Sequence, residues 1–199
     1  ADSFGLIVVG DEILNGRRRD RHFEGIGGLL RERGFGLAWF RILPDEPDYL
    51  AGEFARSMAE GRPVFCCGGI GATPDDHTRA SAAAAAGVAL VRHPGAVAEI
   101  EARFGEAAYP QRVRMAELPV GSALIPNPYN RIPGFGIQRH YFLPGFPDMA
   151  HPMARWVLET HFPAVGDGLS GSKPVPPFPK PRPEIRILWL VSTAADPAS

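Results

Sequence analysis

The first half of the chain alternates between short apolar runs and segments in which apolar residues recur at helical spacing. Residues 4–9 form a continuous apolar run that ends at Gly10, which is typical of a strand buried on both faces of a parallel sheet. Residues 37–43 and 63–67 are two more such runs. The pattern therefore predicts three strands, with a loop reaching Gly16 after the first one.

Helices are predicted between and after these strands. The first carries Phe23, Ile26 and Leu30 at helical spacing, is capped near Asp20 and stops at Gly34. Later helices are predicted over residues 49–59, 78–86, 96–104 and 111–118 and through Met153, Trp156 and Val157. Short strands are predicted over residues 88–91, 123–125 and 140–143, and proline-glycine turns over 132–135 and 143–147.

This order of elements predicts the fold class. Strands that alternate with helices imply right-handed crossovers and a mostly parallel sheet between two helical layers, which is a three-layer α/β/α sandwich. Ligand sites in such proteins lie outside the carboxyl ends of the strands. The glycine-rich loop that starts at Gly68 and the acid Asp45 both fall at this edge.

The composition changes after the predicted domain, which spans residues 1–163. Residues 166–172 are rich in glycine and serine, and residues 173–183 are dense in proline. This is the composition of a linker. An apolar run at residues 185–191 follows, so residues 164–199 are interpreted as a linker and an apolar tail without an assigned function.

Composition limits the classes of function. The 199 residues are 45% hydrophobic, which is enough for one domain with a core. With 21 basic and 22 acidic residues the formal net charge is −1, so no global field favours nucleic acid or a membrane surface as a partner. The one basic run, residues 17–21, lacks interleaved aromatic residues and is interpreted as a solvated helix start that can still steer a small anion.

Two adjacent cysteines bear on the compartment. Cys66 and Cys67 lie in a predicted strand, where neighbouring side chains point to opposite faces and do not easily bridge. We expect buried free thiols and hence a reducing, cytoplasmic location, and we find no signal peptide or long apolar span. The six histidines are scattered without metal-ligand spacing, so no structural zinc is expected.

The loop at residues 68–78 carries the strongest signal for chemistry. It joins a predicted strand to a predicted helix and contains Gly68, Gly69 and Gly71. Glycines allow positive φ angles and bring bare N–H groups against a ligand, and the following helix adds its positive dipole end. The loop therefore predicts a phosphate-binding turn that needs no lysine.

Two acidic residues follow the glycines of this loop, although negative charges would repel a bound phosphate. Asp75 and Asp76 could cap the helix, bind a metal ion that bridges to the phosphate, or perform acid-base work. Thr73 and Thr78 could bond phosphate oxygens or their own backbone. Two carboxylates from separate strand ends can hold Mg²⁺ between phosphate oxygens, and Asp45 would be the partner of Asp76.

Seven segments together resemble the molybdopterin-binding (MoaB/Mog-like) domain family, most closely the amino-terminal domain of the competence/damage-inducible protein A (CinA) family. The resemblance covers roughly residues 4–163. Its segments are VGDEILNG at 9–16, LPDE at 43–46, GGIGATPDDHT at 68–78, MAELP at 115–119, IPNP at 125–128, PGF at 133–135 and LPGFP at 143–147.

The resemblance implies a ligand and two reactions. It implies that the glycine loop binds a phosphorylated pterin or a dinucleotide-like compound. In adenylyltransferase relatives, acids at the positions of Asp45 and Asp76 support transfer of adenylate from ATP to the pterin phosphate with magnesium. Damage-inducible relatives instead hydrolyse pyrophosphate bonds in ADP-ribose-like compounds. Relatives assemble as trimers or dimers, which implies a homo-oligomer here.

We therefore expect a molybdopterin- or nucleotide-binding protein of molybdenum cofactor biosynthesis that adenylylates a pterin phosphate. The alternatives are a CinA-like nucleotide pyrophosphatase and a non-catalytic binding or sensor domain. Asp45 and Asp76 are the expected catalytic residues and the ligands of a Mg²⁺ ion that arrives with the substrate. The expected ligand-binding residues are Gly68, Gly69, Gly71, Thr73, Asp11, Asp75 and Thr78.

Overall fold

A computed structural model describes residues 3–162. The eight strands of this part are β1 (Ser3–Val9), β2 (Gly36–Leu43), β3 (Val64–Cys67), β4 (Leu90–Arg92), β5 (Glu117–Pro119), β6 (Ala123–Ile125), β7 (Gly134–Ile137) and β8 (His140–Leu143). Its six α-helices are α1 (Asp11–Leu14), α2 (His22–Glu32), α3 (Pro47–Ala59), α4 (Thr78–Ala86), α5 (Pro94–Phe104) and α6 (Pro147–His161). Short 3₁₀ helices cover Gly105–Ala108 and Arg112–Ala116.

The main sheet has six strands in the order β2-β1-β3-β8-β7-β6. β1 pairs in parallel with β2 and β3, and β3 pairs in parallel with β8. β7 runs antiparallel to both β8 and β6. The chain passes from β1 to β2 on one side and then returns to β3 on the other, so the order of the strands reverses at β1.

Helices cover both faces of this sheet. One buried cluster joins alternate residues of the central strands to α2 and α6, with Phe4, Leu6 and Phe65 meeting Ile26 and Val157. The other cluster joins the intervening strand residues to α3, α4 and α5. Strands buried on both faces explain the continuous apolar runs, and the arrangement confirms the predicted three-layer α/β/α class.

The two adjacent cysteines illustrate this alternation. Cys66 belongs to the cluster on the α3 side and Cys67 to the cluster on the α2 side. Both are free and fully buried. Burial raises the pKa of both thiols, mainly because it removes water that would stabilise the thiolate. Neither side chain is therefore suited to act as a thiolate nucleophile.

Helix boundaries follow local chemistry. Asp20 precedes the N-cap residue Arg21 and accepts hydrogen bonds from the amides of His22 at 2.9 Å and Phe23 at 3.0 Å, so it satisfies the start of α2 near the predicted position. Proline occupies the first turn of α3, α5 and α6, where its missing N–H is no loss. Gly87 ends α4 with a left-handed φ of +68°.

Four elements differ from the predictions. Residues 11–14 form the short helix α1 instead of the predicted loop. The sequence did not reveal this helix, because four residues are too few to show a helical period. Residues 134–137 form β7 where a turn was predicted. The prediction was wrong because two glycines and a preceding proline are typical of turns. Gly134 allows the close approach of β7, because a Cβ there would lie 2.4 Å from the Phe142 carbonyl oxygen.

The remaining differences lie in a small satellite. Only residues 112–116 of the predicted helix 111–118 are helical, as a 3₁₀ helix, and the segment then continues into β5. β5 pairs antiparallel with β4 in a two-stranded ribbon outside the main sheet. The predicted strand 88–91 is present as the shorter β4, which begins two residues later and ends one residue later than expected. The predicted linker and tail at residues 164–199 lie outside the described residues.

No helix within residues 3–162 has the length and apolar character required to cross a bilayer.

His140 gives the fold a predicted dependence on pH. Its buried ring contacts the Ser57 hydroxyl at 2.7 Å and the Gln138 carbonyl oxygen at 3.1 Å, and burial lowers its pKa to about 4. The unfolded chain takes up a proton near pH 6.5, whereas the folded chain resists it, so the free energy of unfolding should fall from pH 6.5 to about 4. The expected loss from this residue is about 3 kcal/mol.

Denaturant unfolding of the wild type and His140→Leu at pH 7.0, 5.5 and 4.5 measures this loss. The variant should lose less stability on acidification than the wild type, although His22, His151 and His161 also have lowered pKa values and leave a residual slope. His77→Leu, at a half-buried loop residue, is the control. Equal losses in the wild type and His140→Leu would contradict the assignment.

Candidate functional site

Four loops meet at one edge of the sheet. The strand register aligns Val9 with Leu43 and Cys67 with Leu143, so β1, β2, β3 and β8 end at the same level. Two further backbone bonds extend the ladder beyond the strands, from the Gly10 amide to the Leu43 carbonyl and from the Gly68 amide to the Leu143 carbonyl, both at 3.0 Å. Parallel strands place their following loops on the same edge, where the strand order reverses.

A cavity of about 250 Å³ lies between these loops. Its walls come from the segments that follow the four parallel strands and from α1. The lining residues are Val9, Gly10, Glu12, Arg18, Asp45, Gly68, Gly69, Ile70, Gly71, Asp75, Asp76, Pro144, Gly145 and Phe146. The cavity thus brings together six of the nine residues expected at the site, from positions 45 to 76 in the chain.

Two of the predicted glycines have the backbone conformation that only glycine adopts easily. Gly68 has a φ of +111° and Gly69 a φ of +69°. A Cβ at Gly68 would lie 2.3 Å from the Val9 carbonyl oxygen, and one at Gly69 would lie 2.2 Å from the Thr78 hydroxyl oxygen. Gly71 differs from the expectation because its φ is not positive; a side chain there would instead collide with the Asp76 carboxylate at 2.5 Å.

The carbonyl groups of this loop are bound from the protein side. The Thr78 hydroxyl donates to the Gly68 carbonyl at 2.9 Å, and the Thr78 amide donates to the Gly69 carbonyl at 3.1 Å. The Arg79 guanidinium donates to the Gly71 carbonyl at 2.6 Å. Three carbonyl groups of the loop are therefore held by the first two residues of α4.

These bonds also orient the amides. A trans peptide unit is planar, so a carbonyl and the following N–H point in opposite directions. The N–H groups of Gly69, Ile70 and Ala72 therefore point away from Thr78 and Arg79. Within residues 3–162 none of these three amides has a protein acceptor. The loop consequently offers N–H donors that an anion can occupy.

Arg79 places a positive charge behind the loop. Its side chain is 7% exposed, and its second guanidinium nitrogen donates to the Arg114 carbonyl. Burial lowers the pKa of Arg79, while the negative charge of Asp76 opposes that shift. An arginine stays protonated in proteins, so this buried cation favours a negative ligand on the other side of the loop. Sequence reasoning missed Arg79 because its position in a helix of small residues carries no motif.

Thr78 differs from the role expected for it. The residue is fully buried, and its hydroxyl and amide are both bonded to loop carbonyls. Its side chain has no exposed donor for a ligand in this structure. Thr78 therefore holds the loop from the side of α4. It was predicted as a ligand-binding residue because it lies at the start of the helix that follows the loop.

Asp76 also has a local structural role. It does not cap α4; its carboxylate accepts the Thr73 amide at 2.8 Å and the Thr73 hydroxyl. Thr73 is exposed, does not line the cavity, and has both polar groups bonded to Asp76. Asp75 lines the cavity and is exposed. The pair of Asp76 and Thr73 thus closes the far side of the loop, with Asp76 facing the cavity.

Asp45 and Asp11 form a reciprocal pair across two loops. The Asp11 amide donates to the Asp45 carboxylate at 3.2 Å, and the Asp45 amide donates to the Asp11 carboxylate at 3.3 Å. Asp11 itself lies beside the cavity wall, whereas Asp45 lines it. Burial raises the pKa of Asp45, the Asp11 amide opposes the shift, and the charges of Asp11, Glu12 and Asp76 raise the pKa further.

Two further lining residues were not predicted as site residues. Arg18 donates to the Gly145 carbonyl at 3.0 Å, lies 3.7 Å from the Glu12 carboxylate, and is the one basic residue among the described residues that line the cavity. Phe146 lies against it, with the Arg18 guanidinium carbon 5.2 Å from the ring centroid. The basic run and the LPGFP segment were both noted in the sequence, but only the fold brings them together.

The carboxylates of the cavity are oxygen donors of the kind that bind hard divalent cations. Among residues 3–162, no group of three or more histidine, cysteine, aspartate or glutamate side chains is placed to hold a metal. Asp45 and Asp76 line the same cavity and interact through their charges. Two carboxylates suit Mg²⁺ that takes its other ligands from phosphate oxygens and water. They do not form a site that would retain a metal without a ligand.

A larger, mainly apolar cavity of about 620 Å³ lies between α2, α6 and the loop at residues 126–128. It contains none of the residues expected at the site and none of the unpaired loop amides. The smaller cavity is the better candidate, because it lies at the reversal of strand order and combines amide donors with acids.

Comparison with known proteins identifies related sequences. Residues 5–164 match the family described as a probable molybdopterin binding domain. A CinA-like protein from Citrifermentans bemidjiense is 33% identical over 168 residues, which cover 80% of this chain and 40% of that protein. A protein from Aeropyrum pernix is 34% identical over 156 residues, covering 74% of this chain and 58% of that protein. The chain thus spans less than two thirds of the length of these relatives.

Solved structures share the fold. The protein CinA from Thermoplasma acidophilum, described as of unknown function, superimposes with a TM-score of 0.72 at 28% identity, covering 79% of this chain and 98% of that chain. MoaB from Thermus thermophilus, described as a molybdopterin biosynthesis enzyme, has a TM-score of 0.52 at 21% identity, covering 80% of this chain and 91% of that chain. At the lower identity the likeness concerns the fold alone.

The loop geometry predicts unequal effects at two glycines with nearly equal φ angles. Gly69 and Gly87 have φ angles of +69° and +68°, but a Cβ at Gly87 meets nothing within 4 Å. Gly87→Ala should cost only the left-handed strain, about 1 kcal/mol. Gly69→Ala should cost at least about 2 kcal/mol, because it also displaces the Thr78 hydroxyl from a buried carbonyl.

Denaturant unfolding of both variants checks this difference, and the binding of a phosphate-bearing ligand should be lost in Gly69→Ala alone. Equal destabilisation of the two variants would contradict the close contact between Gly69 and Thr78.

Proposed function

The chain belongs to the family of probable molybdopterin-binding domains, as its motifs predicted, and we propose that it binds the phosphate of a pterin or adenine nucleotide on the loop at residues 69–72. One observation carries this proposal: three loop amides have no acceptor among residues 3–162 and are fixed by bonds on their carbonyl side. Donors that are already oriented bind a phosphate without the entropic cost of ordering the loop.

Asp45 and Asp76 are the proposed catalytic residues. Asp45 is the better placed of the two, since Asp76 already accepts two bonds from Thr73. A carboxyl group with a raised pKa is suited to take up the proton of an attacking water molecule, whereas an ionised phosphate oxygen attacks without a proton to remove. Bound Mg²⁺ would supply charge neutralisation between these carboxylates and the phosphate oxygens. The loop amides and the buried Arg79 would stabilise negative charge on the phosphate from the opposite side.

Two reactions are compatible with this arrangement. We propose adenylyl transfer to a pterin phosphate, in molybdenum cofactor biosynthesis, on the strength of the family match. The second candidate is hydrolysis of a pyrophosphate bond in an ADP-ribose-like compound, which the 33% identity to a CinA-like protein favours. Both require the same cradle and differ in the nucleophile, which is a pterin phosphate in the first case and water in the second. Buried free thiols support a reducing compartment such as the cytoplasm.

Product analysis separates these reactions. The full chain is incubated with Mg²⁺ and either ATP plus molybdopterin or ADP-ribose. Adenylated pterin in the first mixture supports the transferase, and AMP plus ribose phosphate in the second supports the pyrophosphatase. Tight binding without product in either mixture would contradict both and select the non-catalytic binding domain. Absence of any binding would contradict the proposed function.

If Asp45 helps to hold Mg²⁺, magnesium should reverse the effect of Asp45→Asn on the affinity for AMP. Without Mg²⁺, Asp45→Asn should bind AMP more tightly than the wild type, by about threefold, because a negative charge near the phosphate is removed. With Mg²⁺ the wild type should gain more affinity than the variant. Turnover of whichever substrate is accepted should fall about 100-fold or more in the variant.

Calorimetric titration with AMP, with and without Mg²⁺, measures these affinities. Asp48→Asn is the matched control, because Asp48 lies three residues away in the first turn of α3 and outside the cavity. If Asp45→Asn and Asp48→Asn respond alike to Mg²⁺, Asp45 does not contribute to a metal site.

A further inference from the structure

Phe146 is an exposed aromatic ring at the rim of the candidate cavity. It follows β8 and is the residue before the first turn of α6, and its side chain is 58% exposed. Neither core cluster of the described residues includes it. Of the large hydrophobic residues that are exposed in residues 3–162, Phe146 is the one that lines the cavity.

Arg18 holds this ring in place. Its guanidinium carbon lies 5.2 Å from the Phe146 ring centroid, within the range of a cation-π contact. The same guanidinium donates to the Gly145 carbonyl, the residue before Phe146, at 3.0 Å. A second donor, the buried His22 ring, lies 3.1 Å from that carbonyl. The backbone that carries Phe146 is thus bonded twice, and its ring is supported on the Arg18 side.

The size of the cavity indicates where a ligand ring would lie. Sites that bury most of a nucleotide-sized ligand usually enclose about 300 to 1,000 Å³. The cavity here encloses about 250 Å³, and both the glycine loop and the acids Asp45 and Asp76 line it. It accommodates a phosphate and part of a sugar or a similar linker. A fused aromatic ring attached to that phosphate must extend to the rim, where Phe146 is.

We infer that Phe146, backed by Arg18, stacks on the planar heteroaromatic ring of the bound ligand, and so selects ring-bearing phosphates over phosphates without a ring. The inference rests on the proposed function, because it assumes that the phosphate lies on the loop at residues 69–72. Stacking depends on a π-face and not on a hydrogen-bonding pattern, so it accepts purines and pterins alike. Phe146 is therefore a specificity-determining residue for the class of ligand.

Two ligands that differ only in the ring test this assignment. The affinities of the full chain for AMP and for ribose 5-phosphate are measured by calorimetric titration. The wild type should bind AMP about tenfold more tightly, which is typical of one base stacked on an aromatic side chain. Phe146→Ala should lower the affinity for AMP about tenfold and leave that for ribose 5-phosphate unchanged, while Phe146→Tyr should keep both affinities.

Tyr129→Ala is the matched control, since Tyr129 is 70% exposed and lies outside the cavity. It should change neither affinity. An unchanged ratio of AMP to ribose 5-phosphate affinity in Phe146→Ala would overturn the stacking role, while binding of both compounds would still support the proposed function. If the wild type binds neither compound, the proposed function fails and the stacking role fails with it.

Discussion

The attachment of the glycine loop to the start of α4 is the interaction on which the candidate site depends. Thr78 binds two loop carbonyls and Arg79 binds a third, and both side chains are buried. Without these bonds a glycine-rich segment would sample many conformations, and its amides would have no common direction. With them, the peptide planes are fixed and the N–H groups of Gly69, Ile70 and Ala72 are left available on the other side.

The sheet supplies the rest of the geometry. Four parallel strands end in register, so Asp45, the glycine loop and the Gly145 turn meet although they are about a hundred residues apart in sequence. The carboxylates of Asp45 and Asp76 line the same cavity, and their negative charges would repel a bound phosphate. In the proposed function, a cation that arrives with the ligand would resolve that repulsion together with Arg18 and the buried Arg79. The combination of free amides, paired acids and a buried cation is what the proposed phosphoryl chemistry requires.

The sequence predicted those features that depend on local pattern. Continuous apolar runs identified β1, β2 and β3, and helical spacing identified α2 to α6, because each element buries a face with its own period. β7 and the β4-β5 ribbon were missed or displaced, since short strands containing glycine or flanked by proline carry turn signals instead. At the site, the loop and Asp45 were expected, whereas Arg18, Arg79 and Phe146 were not. Their roles arise from contacts between distant segments, which no local pattern encodes.

Amide NMR of ¹⁵N-labelled protein during titration with AMP tests directly whether the loop amides bind phosphate. The amide signals of Gly69, Ile70 and Ala72 should move downfield and saturate together as the phosphate accepts hydrogen bonds from their N–H groups. The Gly87 amide, which is bonded to the Ala84 carbonyl at the end of α4, should stay unchanged. Saturable shifts elsewhere in the protein, with these three loop amides unmoved, would contradict the central claim.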